Sequence, residues 1–139
     1  MSLLINLKYK KFQKNHIKGI EKKKNNLYLL KGSLGIKVLE NARLSLSQIE
    51  SLKFLLTRYL KSYEKYWLSV NPTLTLTQKM GDIRMGKGKG MFVGFIVKIK
   101  AGTILIEINS FRKNKEKLIS QLNFIKKKLP LKCKVVKIV

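Results

Sequence analysis

Ile49, Leu52, Leu56, Tyr59, Leu60 and Tyr63 recur at the spacing that lines up side chains on one face of an α-helix. Ser45 stands just before this run with Gln48 in capping-box register, so the pattern predicts a helix from Leu46 to Ser62. Lys53, Arg58 and Lys61 then fall on or beside its outward face. A second stripe, Leu118, Ile119, Leu122, Ile125 and Leu129, predicts a helix from Lys115 to Leu129. Lys126, Lys127 and Lys128 suit the negative end of its dipole, and Pro130 stops it. Strands are expected elsewhere. Leu27 to Leu30 and Ile36 to Leu39 read as short strands around a Gly32-Ser33-Leu34-Gly35 turn. Lys65 to Val70 alternates around Trp67 and ends before Pro72, and Thr73 to Thr77 alternates Thr with Leu. Met91 to Ile99 and Thr103 to Ile108 are β-rich apolar runs joined by Lys100-Ala101-Gly102, which reads as a hairpin. Lys132 to Val139 is a last strand. The order predicts an α+β fold, two helices packed on one face of a mixed or antiparallel sheet.

From Lys8 to Lys24 neither period holds. Tyr9, Phe12 and His16 are interspersed among Lys10, Lys11, Lys14 and Lys18. A segment of this kind gains little from packing on its own domain but can order on RNA, where cations meet phosphates and rings meet exposed bases. The alternative is a solvated tail. The chain therefore divides into a basic N-terminal arm, residues 1–24, and a single RNA-binding domain, residues 25–139, with a glycine-rich basic loop.

Charge settles the class of partner. The 139 residues are 45% apolar, ample for one core, yet they carry 31 Lys and Arg against 7 Asp and Glu, a formal net charge of +24. Like charges at that density repel within a compact body, and a polyanion supplies the missing counter-charge. Nucleic acid is the commonest. An anionic membrane would call for an amphipathic basic helix with a dense apolar face or a spanning segment, and neither is expected. The opening Ser2-Leu3-Leu4-Ile5-Asn6-Leu7 lacks the length and cleavage site of a secretory signal. It does not read as a transit peptide either, because Arg is absent before Arg43. An organellar protein of this kind is expected to be organelle-encoded, and the bias toward Lys, Asn, Ile and Leu points to an AT-rich genome such as a mitochondrial one.

Residues 81 to 90 read Gly81-Asp82-Ile83-Arg84-Met85-Gly86-Lys87-Gly88-Lys89-Gly90. Glycines at alternate positions remove Cβ and permit positive φ, so the backbone can approach a phosphate or a base while Arg84, Lys87 and Lys89 add cationic reach. The pattern assigns this loop to RNA contact, against the plainer alternative of a flexible hairpin loop. Gly81 to Lys87 has the spacing of a phosphate-binding P-loop, but Gly88 stands where a Ser or Thr should hold magnesium, and a strand rather than a helix follows. Nucleotide hydrolysis is excluded on that ground.

Other chemistry finds no footing. His16 is the only histidine, without a recognisable carboxylate or nucleophile partner, and the acids Glu21, Glu40, Glu50, Glu64, Asp82, Glu107 and Glu116 are scattered singly. No cofactor, metal or small-molecule substrate is expected. The lone Cys133 rules out an intramolecular disulfide, and its place in Leu131-Lys132-Cys133-Lys134-Val135 predicts a small buried strand residue.

These residues resemble the family of ribosomal protein sixteen of the large subunit, bacterial and organellar type. The family's Arg-Met-Gly-Lys-Gly-Lys-Gly signature stands unchanged at Arg84 to Gly90. Lys11-Phe12 with Lys14 and His16 resembles the family's basic arm, Gly32-Ser33-Leu34-Gly35 its turn, and Arg43-Leu44-Ser45 with Gln48-Ile49-Glu50 the start of its first helix. Thr57-Arg58, Trp67, Pro72, Lys100-Ala101-Gly102 with Leu105 and Glu107, and Lys128-Leu129-Pro130-Leu131-Lys132 also agree, so the resemblance runs from Tyr9 to Val136. Departures are Gln13, Lys18 and Glu21 in the arm, Ser69 and Asn71, Met80-Gly81, and Gly94-Phe95, a drift that leans toward a mitochondrial member.

The resemblance implies a non-catalytic structural constituent of the large ribosomal subunit, seated on large-subunit rRNA near the central protuberance beside neighbouring ribosomal proteins. It would support subunit assembly and the accommodation of A-site tRNA. Taken with the reading of the arm and the loop, the expected RNA-binding residues are Lys10, Lys11, Phe12, Lys14, His16, Lys18, Arg43, Arg58, Arg84, Met85, Gly86, Lys87, Gly88, Lys89 and Gly90. The expected location is a ribosome of the mitochondrial matrix, with plastid or bacterial cytoplasm as alternatives. The competing function is a free RNA-binding factor of ribosome assembly.

Overall fold

The computed structural model describes residues 8–13, 28–60, 65–109 and 115–138. Its elements are β1 (Leu34–Val38), β2 (Ala42–Ser45), α1 (Leu46–Tyr59), β3 (Lys65–Leu68), β4 (Leu74–Gln78), β5 (Met91–Ile99), β6 (Ile104–Asn109), α2 (Lys115–Lys128) and β7 (Cys133–Lys137). The α+β class stands. Every ladder is antiparallel, and the strands divide between two sheets, ordered β3-β6-β1-β7 and β2-β5-β4.

The predicted capping box forms. Ser45 Oγ accepts the Gln48 N–H at 3.3 Å, and Gln48 Oε1 accepts the Ser45 N–H at 2.9 Å, which satisfies two donors that a helix start leaves orphaned. α1 ends sooner than the periodicity predicts, with Leu60 in extended backbone as its C-cap and its N–H on the Leu56 carbonyl. Ser62 lies outside the described residues. Ile49, Leu52 and Leu56 of α1 and Leu118, Leu122 and Ile125 of α2 are buried with Leu34, Ile36, Val38, Leu105, Ile106 and Ile108 in one core. Tyr59 and Phe124 pack ring against ring between the helices, centroids 5.3 Å apart. α2 lies on β1 and β7, whereas α1 touches β2 and β5, so the helix pair joins the two sheets. Cys133 is buried at the start of β7, as its alternation predicts.

The expected hairpin of β5 with β6 does not form. β5 pairs with β2 and β4, and β6 with β1 and β3. Two causes are visible. Residues Ile104 to Ile108 are buried without alternation, so β6 needs a central place in its sheet. The connecting turn is also held by other elements: the Gly102 N–H donates to Val38 O at 2.7 Å, the Val38 N–H to Thr103 O at 2.9 Å, and the Ala101 N–H to Asn41 Oδ1 at 2.7 Å. The chain therefore crosses from one sheet to the other at Gly102, which takes φ 88°.

The expected strand at Leu27 to Leu30 is absent from its described residues. The backbone N–H groups of Leu30, Lys31 and Gly32 all donate to Glu107 Oε2, at 3.0, 2.7 and 3.1 Å, and are unavailable to a ladder. Nor is Gly32 to Gly35 a turn, since β1 already begins at Leu34. These glycines serve close approach instead. A Cβ at Gly32 would lie 2.6 Å from Ile108 O, and one at Gly35 would lie 2.5 Å from the Leu29 side chain and 2.6 Å from Ile106 O.

Candidate nucleic-acid interface

β4 and β5 form the hairpin that carries the glycine-rich loop. Leu74 faces Ile96 and Gln78 faces Met91, with an irregularity between Leu76 and Thr77 that leaves one residue of β5 unpaired and adds local twist. β2 supports only the far half of β5, from Ile96 to Ile99, so the loop end of the hairpin reaches beyond the body of its sheet. Gly90 closes the base of the loop. A Cβ there would sit 2.4 Å from Gln78 O, so only glycine lets the two strands meet.

Residues 81 to 89 are all exposed. Gly86, Lys87 and Gly88 take successive positive φ values of 94°, 50° and 86°, and a Cβ at Gly86 or Gly88 would meet nothing within 4 Å. Glycine is needed at both for backbone conformation rather than for room, and Lys87 carries the left-handed strain between them. The Ile83 N–H donates to Met80 O at 3.2 Å, closing a tight turn at the loop's entrance, and Lys79 Nζ reaches across to the Gly86 carbonyl.

The described piece of the arm, residues 8–13, lies against this loop. Lys11 Nζ donates to the Lys89 carbonyl at 3.3 Å, and Lys89 Nζ donates to the Phe12 carbonyl. Lys10 Nζ stands 5.9 Å from the centre of the Phe92 ring on β5, itself edge-on to Phe95. Lys10, Lys11, Lys79, Arg84, Lys87 and Lys89 thus gather in one region. No carboxylate among the described residues pairs with any of them. Carbonyl dipoles are weak compensation for so many cations, and the cluster holds a strong positive potential that phosphates would neutralise.

The predicted site residues therefore sort by place. Lys10, Lys11, Phe12 and Arg84 to Gly90 come together. Lys14, His16 and Lys18 lie outside the described residues. Arg43, half-buried on β2, faces Lys98 at the opposite end of β5, roughly 20 Å from the loop at the rise of a strand. Arg58 is exposed in the last turn of α1, and no contact among the described residues links it to the loop. Lys79 was not among the predicted residues. Its signal was available, because closing a hairpin at Gln78 and Met91 sets position 79 at the loop's mouth. Sequence spacing leaves Glu107 an isolated acid, and only the fold shows it gripping the segment that leads from the arm into β1.

Among the described residues no group of His, Cys, Asp and Glu is placed to hold a metal ion, and no helix is long and apolar enough to cross a membrane. β5, not a helix, follows the loop, so no helix N-terminus faces a bound phosphate.

Residues 6–136 match the family described as Ribosomal protein L16p/L10e. Large ribosomal subunit protein uL16 of Carsonella ruddii (strain PV) is 43% identical over 105 residues, covering 76% of this chain and 76% of that protein. Large ribosomal subunit protein uL16m of Prototheca wickerhamii is 34% identical over 131 residues, 94% of each chain. Large ribosomal subunit protein uL16c of Emiliania huxleyi is 33% identical over 129 residues, 93% of this chain and 91% of that protein. With the signature loop carried on a projecting hairpin and a match spanning nearly its whole length, this chain belongs to the ribosomal protein L16p/L10e family.

Proposed function

We propose that the β4–β5 loop and the arm beside it are the rRNA-binding face of a structural constituent of the large ribosomal subunit. Membership of the family makes the chain a ribosomal protein. The observation that supports this face is the gathering of six cations, without carboxylate partners among the described residues, on exposed backbone freed by glycine at Gly86 and Gly88. Cations position the chain on the phosphates, and the glycine backbone lets them approach closely.

Residues 1–24 act as an arm and 25–139 as the RNA-binding domain. Lys14, His16 and Lys18 continue the contacts of Lys10, Lys11 and Phe12, while Arg43 and Arg58 meet RNA on other faces of the domain. The protein performs no chemistry. It orders rRNA near the central protuberance, with the loop directed toward the A-site tRNA, and so supports assembly and tRNA accommodation. The ribosome concerned is that of the mitochondrial matrix. The Lys, Asn and Ile bias of the sequence supports that placement, while the relatives fit organellar and bacterial ribosomes alike.

Sedimentation of salt-washed particles tests the role. One copy per mature large subunit is expected, and a chain found only on precursor particles would identify an assembly factor instead.

A further inference from the structure

Phosphate neutralisation accounts for the cations of the loop but leaves its apolar side chains without a role. Met80, Ile83 and Met85 are 67%, 52% and 95% exposed, and beside them in the arm Tyr9 and Phe12 are 68% and 50% exposed. Single exposed apolar residues are ordinary. Three within six consecutive positions, on a loop that carries Lys79, Arg84, Lys87 and Lys89, are not what solubility or solvation favours.

We infer that the loop takes up unpaired nucleobases, with Met85 as the apolar contact that lies against an exposed base face while its cationic neighbours hold the adjoining phosphates. This deepens the rRNA-binding role proposed above and rests on it. Three observations lead there. Met85 is the most exposed of the large apolar side chains described, so none of the described residues covers it. It directly precedes Gly86 at φ 94°, whose surroundings are open, since even a Cβ there would meet nothing within 4 Å, and a flat ring has room to approach. The surrounding charge selects a ligand that is both anionic and apolar-faced, which describes single-stranded RNA. An anionic lipid surface would also answer to cations and exposed Met, but the ribosomal family favours RNA.

The test uses the full chain with two RNA probes, a hairpin whose unpaired loop carries 2-aminopurine and a fully paired duplex of equal length, and with vesicles of phosphatidylglycerol and phosphatidylcholine. Met85→Ala is expected to weaken hairpin binding about fivefold, to change duplex binding by under about twofold, and to leave the salt dependence unaltered. Met85→Leu restores hairpin binding and the change in 2-aminopurine emission. Arg84→Ala weakens both RNAs and lowers the salt slope by about 0.7. Equal effects of Met85→Ala on hairpin and duplex, or none on either, would overturn the base contact. So would Met85-dependent binding to vesicles without a preference for the unpaired RNA. If Arg84→Ala is silent as well, the rRNA-binding role of the loop fails with it. If Arg84→Ala acts and Met85→Ala does not, only the base contact fails.

Discussion

Removing the carboxylate of Glu107 should release the segment that leads from the arm into the sheet. Glu107 is 6% exposed on β6, facing Gly35 across β1 and Trp67 across β3. The space above Gly35 admits residues 29–32, and Glu107 Oε2 accepts their three N–H groups at 2.7 to 3.1 Å. Hydrogen bonds to a charged acceptor are the stronger kind, and a buried donor left without a partner costs about 1–3 kcal/mol. Of the three donors only that of Gly32 is fully buried, so the full cost applies once and water relieves part of the other two. Glu107→Ala is therefore expected to destabilise the domain by about 3 kcal/mol. Glu107→Gln keeps an acceptor oxygen but loses the charge, and about 1 kcal/mol is expected. Urea unfolding at fixed salt measures both. Glu116→Ala, at an exposed position on α2, removes the same charge and serves as the control against general self-repulsion. Glu107→Ala within about 0.5 kcal/mol of Glu116→Ala would refute the reasoning.

Replacing Arg84, Lys87 and Lys89 together by Ala should lower the slope of log K against log salt by about 2–3 for RNA binding. Replacing Lys117, Lys127 and Lys134 should do so by less, and equal slopes in the two triple variants would remove the loop's special role. Gly90→Ala should destabilise the domain by about 1–3 kcal/mol, because its Cβ would clash with the backbone of Gln78. Gly86→Ala meets no atom but is strained at φ 94°, so it should cost about 1 kcal/mol in urea unfolding and weaken RNA binding through the changed loop backbone. Burial pushes the Cys133 thiol up to about 11 from 9.0, outweighing the opposing pull of Lys126. The unfolded chain thus loses this proton at lower pH than the folded one, and stability falls as pH rises from about 9 to 11. Relative to a Cys133→Ala variant, the parent should lose on the order of 2 kcal/mol across that window, and parallel pH curves for the two would contradict the assignment.

Both helices were legible because their apolar stripes repeat over several turns, and the Ser45–Gln48 pair marks one start unambiguously. The ends were less so: α1 stops at Tyr59 although Leu60 and Tyr63 continue its period, since Leu60 turns into extended backbone and is still buried. β2 escaped notice because Ala42–Ser45 is short and runs directly into the helix that Ser45 caps. Strand pairing was beyond local pattern. Lys100-Ala101-Gly102 has the chemistry of a hairpin turn, but bonds to Val38 and Asn41, far off in the chain, redirect it. The same distinction applies at the site. Arg84 to Gly90 could be recognised from composition and spacing alone. The mutual bonds of Lys11 and Lys89, the reach of Lys79 to Gly86 and the grip of Glu107 on residues 30–32 all join distant positions, and no periodicity encodes them.

A density map of the assembled large subunit containing this chain tests the central claim most directly. Arg84, Lys87 and Lys89 should each lie within hydrogen-bonding reach of rRNA phosphates, with Lys11 and Phe12 against the same RNA. A map in which the β4–β5 loop faces solvent, while the rRNA is held by the lysines of α2 and β7, would contradict it.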